Sequence, residues 1–296
     1  ALAEAQQTGP GAIRAHSAQS APAALRRTEL MDAVATALET GAIQPWYQPQ
    51  ISTETGRITG FEALARWTHP DRGPVAPHAF LGALEEAGLL CRLGDVMLRQ
   101  ALTALSAWDR SGLEIPRVSI NLSPSELRDP GLLDRVEWEL DRHGLAPERL
   151  SFEILETVIA SGPEDTTART VSALARLGCG MDLDDFGTGH ASIAALRRFR
   201  VDRIKIDRSF VTRCDRDPEQ QKMVMAILSM AEQLGLDTVA EGVETLSEHA
   251  LLAQLGCTHV QGFGIARPMP FDETAEWVAR HVEKLDTPPR IGRSAG

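Results

Sequence analysis

The sequence of 296 residues predicts an α/β protein built as a (β/α)8 barrel. Short β-type runs alternate with amphipathic helical runs, which is the pattern of βα units in a mainly parallel sheet. Eight β-type runs fall within roughly 250 residues, which is the number of strands and the chain length typical of such a barrel. An open doubly wound sheet is the structural alternative, but it usually carries a glycine-rich phosphate turn after its first strand. Neither GxGxxG nor a P-loop motif occurs in this chain, so the barrel is favoured.

The predicted strands are rich in β-branched, aromatic and alternating apolar residues. They occupy residues 44–51, 58–67, 117–123, 149–156, 180–186, 202–207, 237–244 and 258–263. Each is followed, before the next strand, by a turn or by a segment with helical spacing.

Helix boundaries are signalled by capping residues. Asp217 followed by Pro218 predicts a helix start, and Gly235 predicts the end of the same helix. Two further helical runs, 171–178 and 249–256, also end in glycine. The segment between Phe80 and Trp108 has room for two helices, with Gly94 as their predicted junction.

The two ends of the chain differ in composition from the rest. Residues 1–27 are rich in Ala, Gln, Ser and Gly without sustained apolar periodicity, which predicts a linker or flexible tail. Residues 286–296 predict a second flexible tail, leaving 28–285 as one domain. The chain begins with Ala1 rather than Met, as expected of an excised fragment.

Composition excludes several classes of function. The 30 Lys and Arg residues against 41 Asp and Glu give a net charge of −11, which argues against a surface for DNA or RNA. The longest apolar stretch, 223–231, falls short of the ~20 residues of a membrane span, so no membrane contact by this fragment is expected. Four widely spaced cysteines predict reduced thiols and a cytoplasmic domain, which is compatible with a membrane-tethered parent.

Polar residues recur in or near the ends of seven successive predicted strands. They are Glu62, Asn121, Glu153 with Glu156, Asp184 with Asp185, Lys205 with Asp207, Glu241 with Glu244, and Gln261. One such residue is usually a solvated side chain or an ion-pair partner. Seven in order are better explained by a barrel, because the carboxyl ends of its strands meet at one face.

Carboxylates that converge on one point repel each other unless a cation pairs with them. The donors here are carboxylates and one amide, which favours Mg²⁺ or Mn²⁺ over zinc. Adjacent Asp184 and Asp185 suit two ions that share one carboxylate, the arrangement used for in-line displacement at phosphorus. Lys205 would add a fixed positive charge beside the nucleophilic water or the developing charge. No GxSxG motif supports acyl transfer.

An ordered set of motifs resembles the EAL-domain cyclic-di-GMP phosphodiesterases over about residues 30–285. The motifs are YQPQ (47–50), FEALARW (61–67), RWTHPDRG (66–73), INLSPSEL (120–127), FEILET (152–157), LDDFGTG (183–189), VDRIKID (201–207), VAEGVET (239–245) and VQGFGIARPMP (260–270). The resemblance implies a (β/α)8 barrel whose first strand is antiparallel. It also implies hydrolysis of cyclic-di-GMP to linear pGpG by attack of water activated by two Mg²⁺ or Mn²⁺ ions.

The same resemblance implies roles for individual residues. Glu62, Asn121, Glu153 and Asp184 resemble ligands of the first metal, and Asp184 and Asp185 resemble ligands of the second. Lys205 resembles the lysine that orients the attacking water, and Glu241 resembles a catalytic base or a partner of the metal ligands. The residues that resemble substrate contacts are Gln48, Leu64, Arg66, Asp95, Glu244 and Gln261.

A loop at 185–191 resembles the family's link between metal binding and dimerisation. Glu156 resembles the residue that anchors this loop, which contains Phe186, Gly187, Thr188, Gly189 and His190. His190 replaces the usual Tyr and adds a group that titrates near neutral pH. The resemblance further implies a homodimer and an upstream sensory or GGDEF-type domain in the full-length protein.

Two alternatives to an active enzyme remain at this point. One is a catalytically inactive receptor that binds cyclic-di-GMP, and the other is a protein-interaction scaffold. Receptors of this kind lose EAL, DDFG or the lysine, whereas this chain retains the whole set. The sequence therefore favours the enzyme.

Overall fold

The computed structural model describes residues 20–156, 166–187, 196 and 199–286. The described chain forms two compact units, residues 20–43 with 67–90, and residues 44–66 with 91–286.

The strands are β1 (Ile43–Ser52), β2 (Ile58–His69), β3 (Gly73–Val75), β4 (Val118–Asn121), β5 (Leu150–Leu155), β6 (Gly180–Phe186), β7 (Arg203–Ile206), β8 (Asp237–Ala240) and β9 (His259–Val260). The α-helices are α1 (Ser20–Glu39), α2 (Leu81–Glu86), α3 (Leu90–Arg110), α4 (Pro124–Leu127), α5 (Leu132–His143), α6 (Thr166–Leu177), α7 (Arg208–Val211), α8 (Pro218–Leu234), α9 (Leu246–Gln254) and α10 (Phe271–Asp286). Short 3-10 turns cover Pro77–Ala79 and Pro147–Arg149.

The smaller unit contains α1, α2 and the hairpin between the end of β2 and β3. Helix α1 begins at Ser20, inside the segment predicted as a tail. Buried Leu84 and Phe80 contribute to the core, and the rings of Trp67 and Phe80 meet edge to face at 6.1 Å. Strand β3, which the sequence pattern did not predict, pairs antiparallel with the end of β2.

The larger unit contains a closed barrel of eight strands. Its order is β1-β2-β4-β5-β6-β7-β8-β9, and β9 pairs back to β1. Strands β2 and β4 to β9 are successively parallel, whereas β1 runs antiparallel to β9, with Ile51 opposite Val260. The (β/α)8 barrel with an antiparallel first strand is therefore confirmed.

Two of the predicted strands, 237–244 and 258–263, are longer than the strands in the structure. Strand β8 ends at Ala240 and β9 at Val260, so Glu241, Glu244 and Gln261 lie in the loops that follow these strands. The chain turns after β8 at Gly242, which has φ +68°, a conformation that favours glycine.

The capping prediction for α8 is confirmed. The Asp217 carboxylate accepts a hydrogen bond from the backbone N–H of Glu219 at 2.9 Å, Pro218 opens the helix, and Gly235 follows it with φ +70°. The junction predicted at Gly94 is wrong. Gly94 lies inside α3, and the break before α3 contains Gly88, whose φ is +68°.

An aromatic cluster in the larger unit packs beside the barrel. The Trp108 ring of α3 stacks on Phe61 at 5.0 Å and meets Tyr47 edge to face at 5.1 Å. Its indole N–H donates to Thr274 Oγ1 of α10 at 2.9 Å, so the buried nitrogen has a partner. Among the described helices, none is both long and apolar enough to cross a bilayer.

Candidate active site

Lys205 is the centre of the candidate site. It lies in β7 and is 1% exposed. Its Nζ lies 2.6 Å from Glu153 Oε2, 2.7 Å from Glu241 Oε1 and 3.1 Å from Asp184 Oδ1, with Glu62 Oε2 at 3.6 Å. These carboxylates come from β2, β5 and β6 and from the loop after β8, as expected where barrel strands end. We call these five residues the carboxylate cluster.

Amide side chains connect the carboxylates to each other. Asn121 Nδ2 donates to Glu62 Oε1 at 3.1 Å and to Glu153 Oε2 at 3.3 Å. Gln261 Nε2 donates to Glu62 Oε2 at 2.6 Å and to Gln48 Oε1 at 3.1 Å. Both oxygens of Glu62 therefore accept hydrogen bonds, which fixes the orientation of this buried carboxylate.

Asp184 and Asp185 reach the same region because β6 is irregular. Neighbouring side chains in a regular strand point to opposite faces. Here the register with β7 shifts between Leu183 and Phe186, and Asp185 has φ 53° in the left-handed region. Single carboxylate oxygens of Asp184, Asp185 and Glu241 lie within 4.8 Å of one another. The strand irregularity thus places two consecutive carboxylates at one site.

Burial and charge shift the pKa values of the cluster in different directions. Burial lowers the pKa of Lys205, but Asp184, Glu153, Glu241 and Glu62 outweigh it and hold that pKa well above its usual value. Burial raises the pKa of Glu241 to about 8. Burial and then the charge of Glu62 raise the pKa of Glu153. The raised pKa values of Glu153 and Glu241 indicate that one lysine does not offset all of these acids, so a bound divalent cation would take the place of protons on them.

The oxygen atoms in and beside the carboxylate cluster are suitable ligands for a hard divalent cation. Glu153 Oε1 is buried and has no hydrogen-bond partner among the described residues, although such an atom normally requires one. Carboxylate and amide oxygens match the preferences of Mg²⁺ and Mn²⁺. The residues suited to hold such ions are Glu62, Asn121, Glu153, Asp184 and Asp185.

Some of the predicted substrate contacts lie beside the cluster. Gln261 donates to Glu62 of the cluster, and Gln48 accepts from Gln261 and donates to the Ala266 carbonyl at 3.0 Å. Arg66 and Leu64 lie on β2 and are half-buried. Burial lowers the pKa of Arg66, and the charge of Glu62 opposes that shift. Arg66 therefore interacts electrostatically with the carboxylate cluster.

Asp95 and Glu244 have other surroundings. Asp95 Oδ1 lies on α3, 2.9 Å from Arg135 Nε, and none of its described contacts reaches the carboxylate cluster. Glu244 is exposed, and its backbone N–H donates to Glu248 Oε2 at 3.0 Å. Substrate contact by these two side chains stays a prediction.

The predicted loop is described only at its start. Glu156 Oε2 accepts a hydrogen bond from the Gly187 N–H at 3.2 Å, and Phe186 is buried. Gly187 has φ +98°, and a Cβ there would lie 2.9 Å from the ring of Phe210. Thr188, Gly189 and His190 lie outside the described residues.

A second polar layer inside the barrel was missed from the sequence. Its members come two residues before the polar ends of β4, β5, β6 and β7. They are Ser119, Ser151, Asp182 and Arg203, each at most 1% exposed. The period of two along each strand was the available signal, since residues i and i+2 share a face. Gln50 was missed as well, although the same spacing was available as a signal, since Gln50 follows Gln48 by two residues in the YQPQ motif.

Comparisons with known proteins agree with this geometry. A family model described as the EAL domain matches residues 31–268. The bifunctional diguanylate cyclase/cyclic di-GMP phosphodiesterase MucR of Pseudomonas aeruginosa is 35% identical over 256 residues, covering 86% of this chain and 37% of MucR. The cyclic di-GMP phosphodiesterase NbdA of the same species is 33% identical over 291 residues, covering 98% of this chain and 37% of NbdA.

A solved structure of the PaMucR phosphodiesterase in complex with c-di-GMP superposes with a TM-score of 0.78 at 35% identity. The match covers 83% of this chain and 99% of that one. The chain spans about a third of the length of the curated relatives it matches. With the family model matched over most of its length, the chain belongs to the EAL domain family.

Proposed function

We propose that this domain is a metal-dependent phosphodiesterase that hydrolyses one phosphodiester bond of cyclic-di-GMP and releases linear pGpG. The observation that carries the proposal is the carboxylate cluster, with Lys205 Nζ 2.6–3.1 Å from three carboxylates. The names of MucR and NbdA support the substrate. Retention of every metal-suited residue favours turnover over binding alone.

The proposed metal ligands are Glu62, Asn121, Glu153, Asp184 and Asp185, with Mg²⁺ or Mn²⁺ as the ions. Bound divalent cations supply positive charge at the phosphoryl oxygens and lower the pKa of a water molecule. Glu62, one of the proposed ligands, is held in place by hydrogen bonds from the side-chain amides of Asn121 and Gln261.

Lys205 and Glu241 are the proposed groups for orienting water and moving its proton. A lysine surrounded by carboxylates keeps its charge, so Nζ acts as a hydrogen-bond donor that directs the lone pairs of a water oxygen. Glu241 Oε1 lies 2.7 Å from that Nζ. A carboxylate oxygen at this position is placed to accept a proton from the same water.

Proposed substrate contacts surround this centre. Arg66 can donate two parallel hydrogen bonds to a phosphate, and Leu64 can pack on a guanine base. The proposed polar contacts to the nucleotide are Gln48, Asp95, Glu244 and Gln261. Each is a prediction that a ligand complex of this protein would test.

We also infer a larger context for the domain. The chain covers 37% of MucR, whose name includes a diguanylate cyclase, which supports a GGDEF-type or sensory domain elsewhere in the full-length protein. Homodimerisation through the loop at 185–191 and a cytoplasmic location belong to the same proposal.

The test is incubation with cyclic-di-GMP in Mg²⁺, in Mn²⁺ and in EDTA, with nucleotides resolved by chromatography. We expect metal-dependent appearance of pGpG. Replacing Asp184→Asn should lower turnover by about 100-fold or more, because it removes a charge from the metal site. The surface variant Glu276→Gln on α10 is the matched control and should keep wild-type turnover.

Three outcomes would contradict the proposal or a part of it. Tight nucleotide binding without turnover in either metal would identify an inactive receptor. Neither binding nor turnover would leave a scaffold role. Wild-type turnover by the Asp184→Asn variant would show that the metal assignment is wrong.

A further inference from the structure

A buried ion pair lies one layer below the carboxylate cluster. Asp182 of β6 and Arg203 of β7 are 0% and 1% exposed and are partners in the parallel ladder. Arg203 Nε donates to Asp182 Oδ1 at 2.9 Å, and its Nη2 donates to Asp182 Oδ2 and, at 3.2 Å, to Ser119 Oγ. Barrel interiors at this depth are dominated by bulky branched apolar residues, so a fully buried ion pair here needs an explanation.

Among the described residues, the guanidinium has one further hydrogen-bond partner, and that partner leads toward the site. Arg203 Nη1 donates to Gln50 Oε1 at 3.0 Å. Gln50 Nε2 donates to Gln261 Oε1 at 2.8 Å. Gln261 Nε2 then donates to Glu62 Oε2 at 2.6 Å and to Gln48 Oε1 at 3.1 Å. We call the path Arg203–Gln50–Gln261–Glu62 the amide relay.

The hydrogen bonds of the amide relay are all donated in the same direction, from Arg203 toward Glu62. A guanidinium carries donors and no acceptor, so Gln50 must turn its oxygen toward Arg203 and its NH₂ group toward Gln261. Gln261 must then present its own oxygen to Gln50, which leaves its NH₂ group for Glu62. A flipped amide at either glutamine would set two donors or two acceptors against each other in a buried region, at the cost of an unsatisfied polar group.

We propose that Arg203 and Gln50 are positioning residues for the site, because they fix the amide of Gln261 so that it always donates to Glu62. The inference rests on the proposed metal site, where Glu62 is a ligand. Residues that orient a metal ligand from behind typically change metal affinity by about 10–100-fold when removed. Neither Arg203 nor Gln50 belongs to the motif residues to which the family resemblance gives a role.

The variant Gln50→Leu interrupts the amide relay without changing charge or much volume, and it leaves the Arg203–Asp182 pair in place. Ser119→Ala is the matched control, since it removes another hydrogen-bond partner of Arg203 in the same layer but lies off the relay. Gln50→Met is the second variant if Gln50→Leu does not fold.

Two measurements separate the outcomes. In the metal-free protein, hydrogen exchange of the Gln261 side-chain amide is followed by NMR. We expect protection in wild type and in Ser119→Ala, and faster exchange in Gln50→Leu. Titration calorimetry with Mn²⁺ should show a dissociation constant raised about tenfold or more in Gln50→Leu, and within about twofold of wild type in Ser119→Ala.

The inference is overturned if the Gln261 amide is equally protected in both variants, or if both variants change Mn²⁺ affinity equally. Absence of Mn²⁺ binding by wild type would instead contradict the proposed metal site, and the exchange measurement would still report on the amide relay.

Discussion

Glu126 shows at the scale of one residue how burial sets the chemistry of a carboxyl group. Its Oε2 accepts a hydrogen bond from the Ser123 N–H at 2.9 Å, and its own backbone N–H donates to Ser123 Oγ at 3.3 Å, so the two residues form a capping box at α4. The Ser123 hydroxyl also donates to Glu126 Oε2. The side chain is buried, and burial raises its pKa from the ordinary value of 4.5 to about 7. The hydrogen bonds lower the pKa but do not overcome burial.

This shift predicts a pH dependence of stability. Because the folded-state pKa of Glu126 is raised, the folded protein binds the proton more tightly than the unfolded chain does. Its contribution to stability is therefore complete below about pH 4.5 and is lost as the pH rises through about 7. Glu126→Gln keeps the cap and cannot titrate.

We expect the free energy of unfolding of wild type, relative to Glu126→Gln, to fall by up to about 3 kcal/mol between pH 4.5 and 8. Urea unfolding of both proteins across this range measures the difference. A difference that stays constant with pH would show that Glu126 keeps an ordinary pKa in the folded state.

Helix α3 shows at the scale of an element how a side chain far away in the sequence determines which residue can occupy a helical position. A glycine inside a helix predicts a break, because glycine lowers helix stability by about 1 kcal/mol relative to alanine. Gly94 is nevertheless helical. A Cβ at this position would lie 1.7 Å from Glu126 Oε1, so the glycine makes room for the buried carboxyl group that caps α4.

Alanine substitutions separate these two effects. Gly94→Ala should destabilise the protein by about 1–3 kcal/mol, because the clash exceeds the gain in helix propensity. Gly82→Ala in α2, where a Cβ would meet nothing within 4 Å, should be neutral or stabilise by up to about 1 kcal/mol. Thermal and urea denaturation measure both.

The double variant Gly94→Ala with Glu126→Ala serves as the control, since it removes the clashing group. Its destabilisation should be smaller than the sum of the two single changes. Strict additivity would mean that Gly94 and Glu126 do not limit each other.

Strand β6 shows the same influence of the site on an element. A regular strand would turn Asp184 and Asp185 to opposite faces. The register shift and the left-handed Asp185 depart from the preferred backbone. Such departures cost roughly 1–3 kcal/mol and persist where the surrounding structure maintains them, commonly at functional sites.

The larger unit as a whole closes its barrel around a concentration of carboxyl groups. Four carboxylates surround the single Nζ of Lys205, and a fifth, Asp185, lies beside them. Their mutual repulsion opposes folding in the absence of another cation. A ligand that binds the folded state alone must therefore stabilise the whole unit.

Divalent cations should raise the thermal stability of this protein. A concentration 100 times the dissociation constant adds about 2.7 kcal/mol, which shifts the melting temperature by several degrees. Scanning fluorimetry with Mg²⁺ or Mn²⁺, followed by excess EDTA, measures the rise and its reversal. Asp184→Asn should lose most of the shift. An equal shift in that variant would place the stabilising cation elsewhere.

Much of this architecture could be read from the sequence. Alternation of β-type and helical runs predicted the eight strands of the barrel, because local periodicity reflects which face of an element is buried. The polar residues near successive strand ends were predicted to converge, since barrel closure brings such ends together. Glu62, Glu153, Asp184, Lys205 and Glu241 do so.

Other features depended on contacts between residues far apart in the chain. Gly94 was misread because the group that occupies its Cβ space, Glu126, comes 32 residues later. The ends of β8 and β9 were misplaced because ladder pairing, which local propensity does not contain, decides where a strand stops.

The sequence alone thus determined the order of elements and the chemical type of the site, because both follow from local pattern and residue identity. Only the tertiary structure decided the direction of the amide relay from Arg203 through Gln50 and Gln261 to Glu62. The reason is physical: an amide can point either way, and the orientation is set by which neighbours can donate and which can accept.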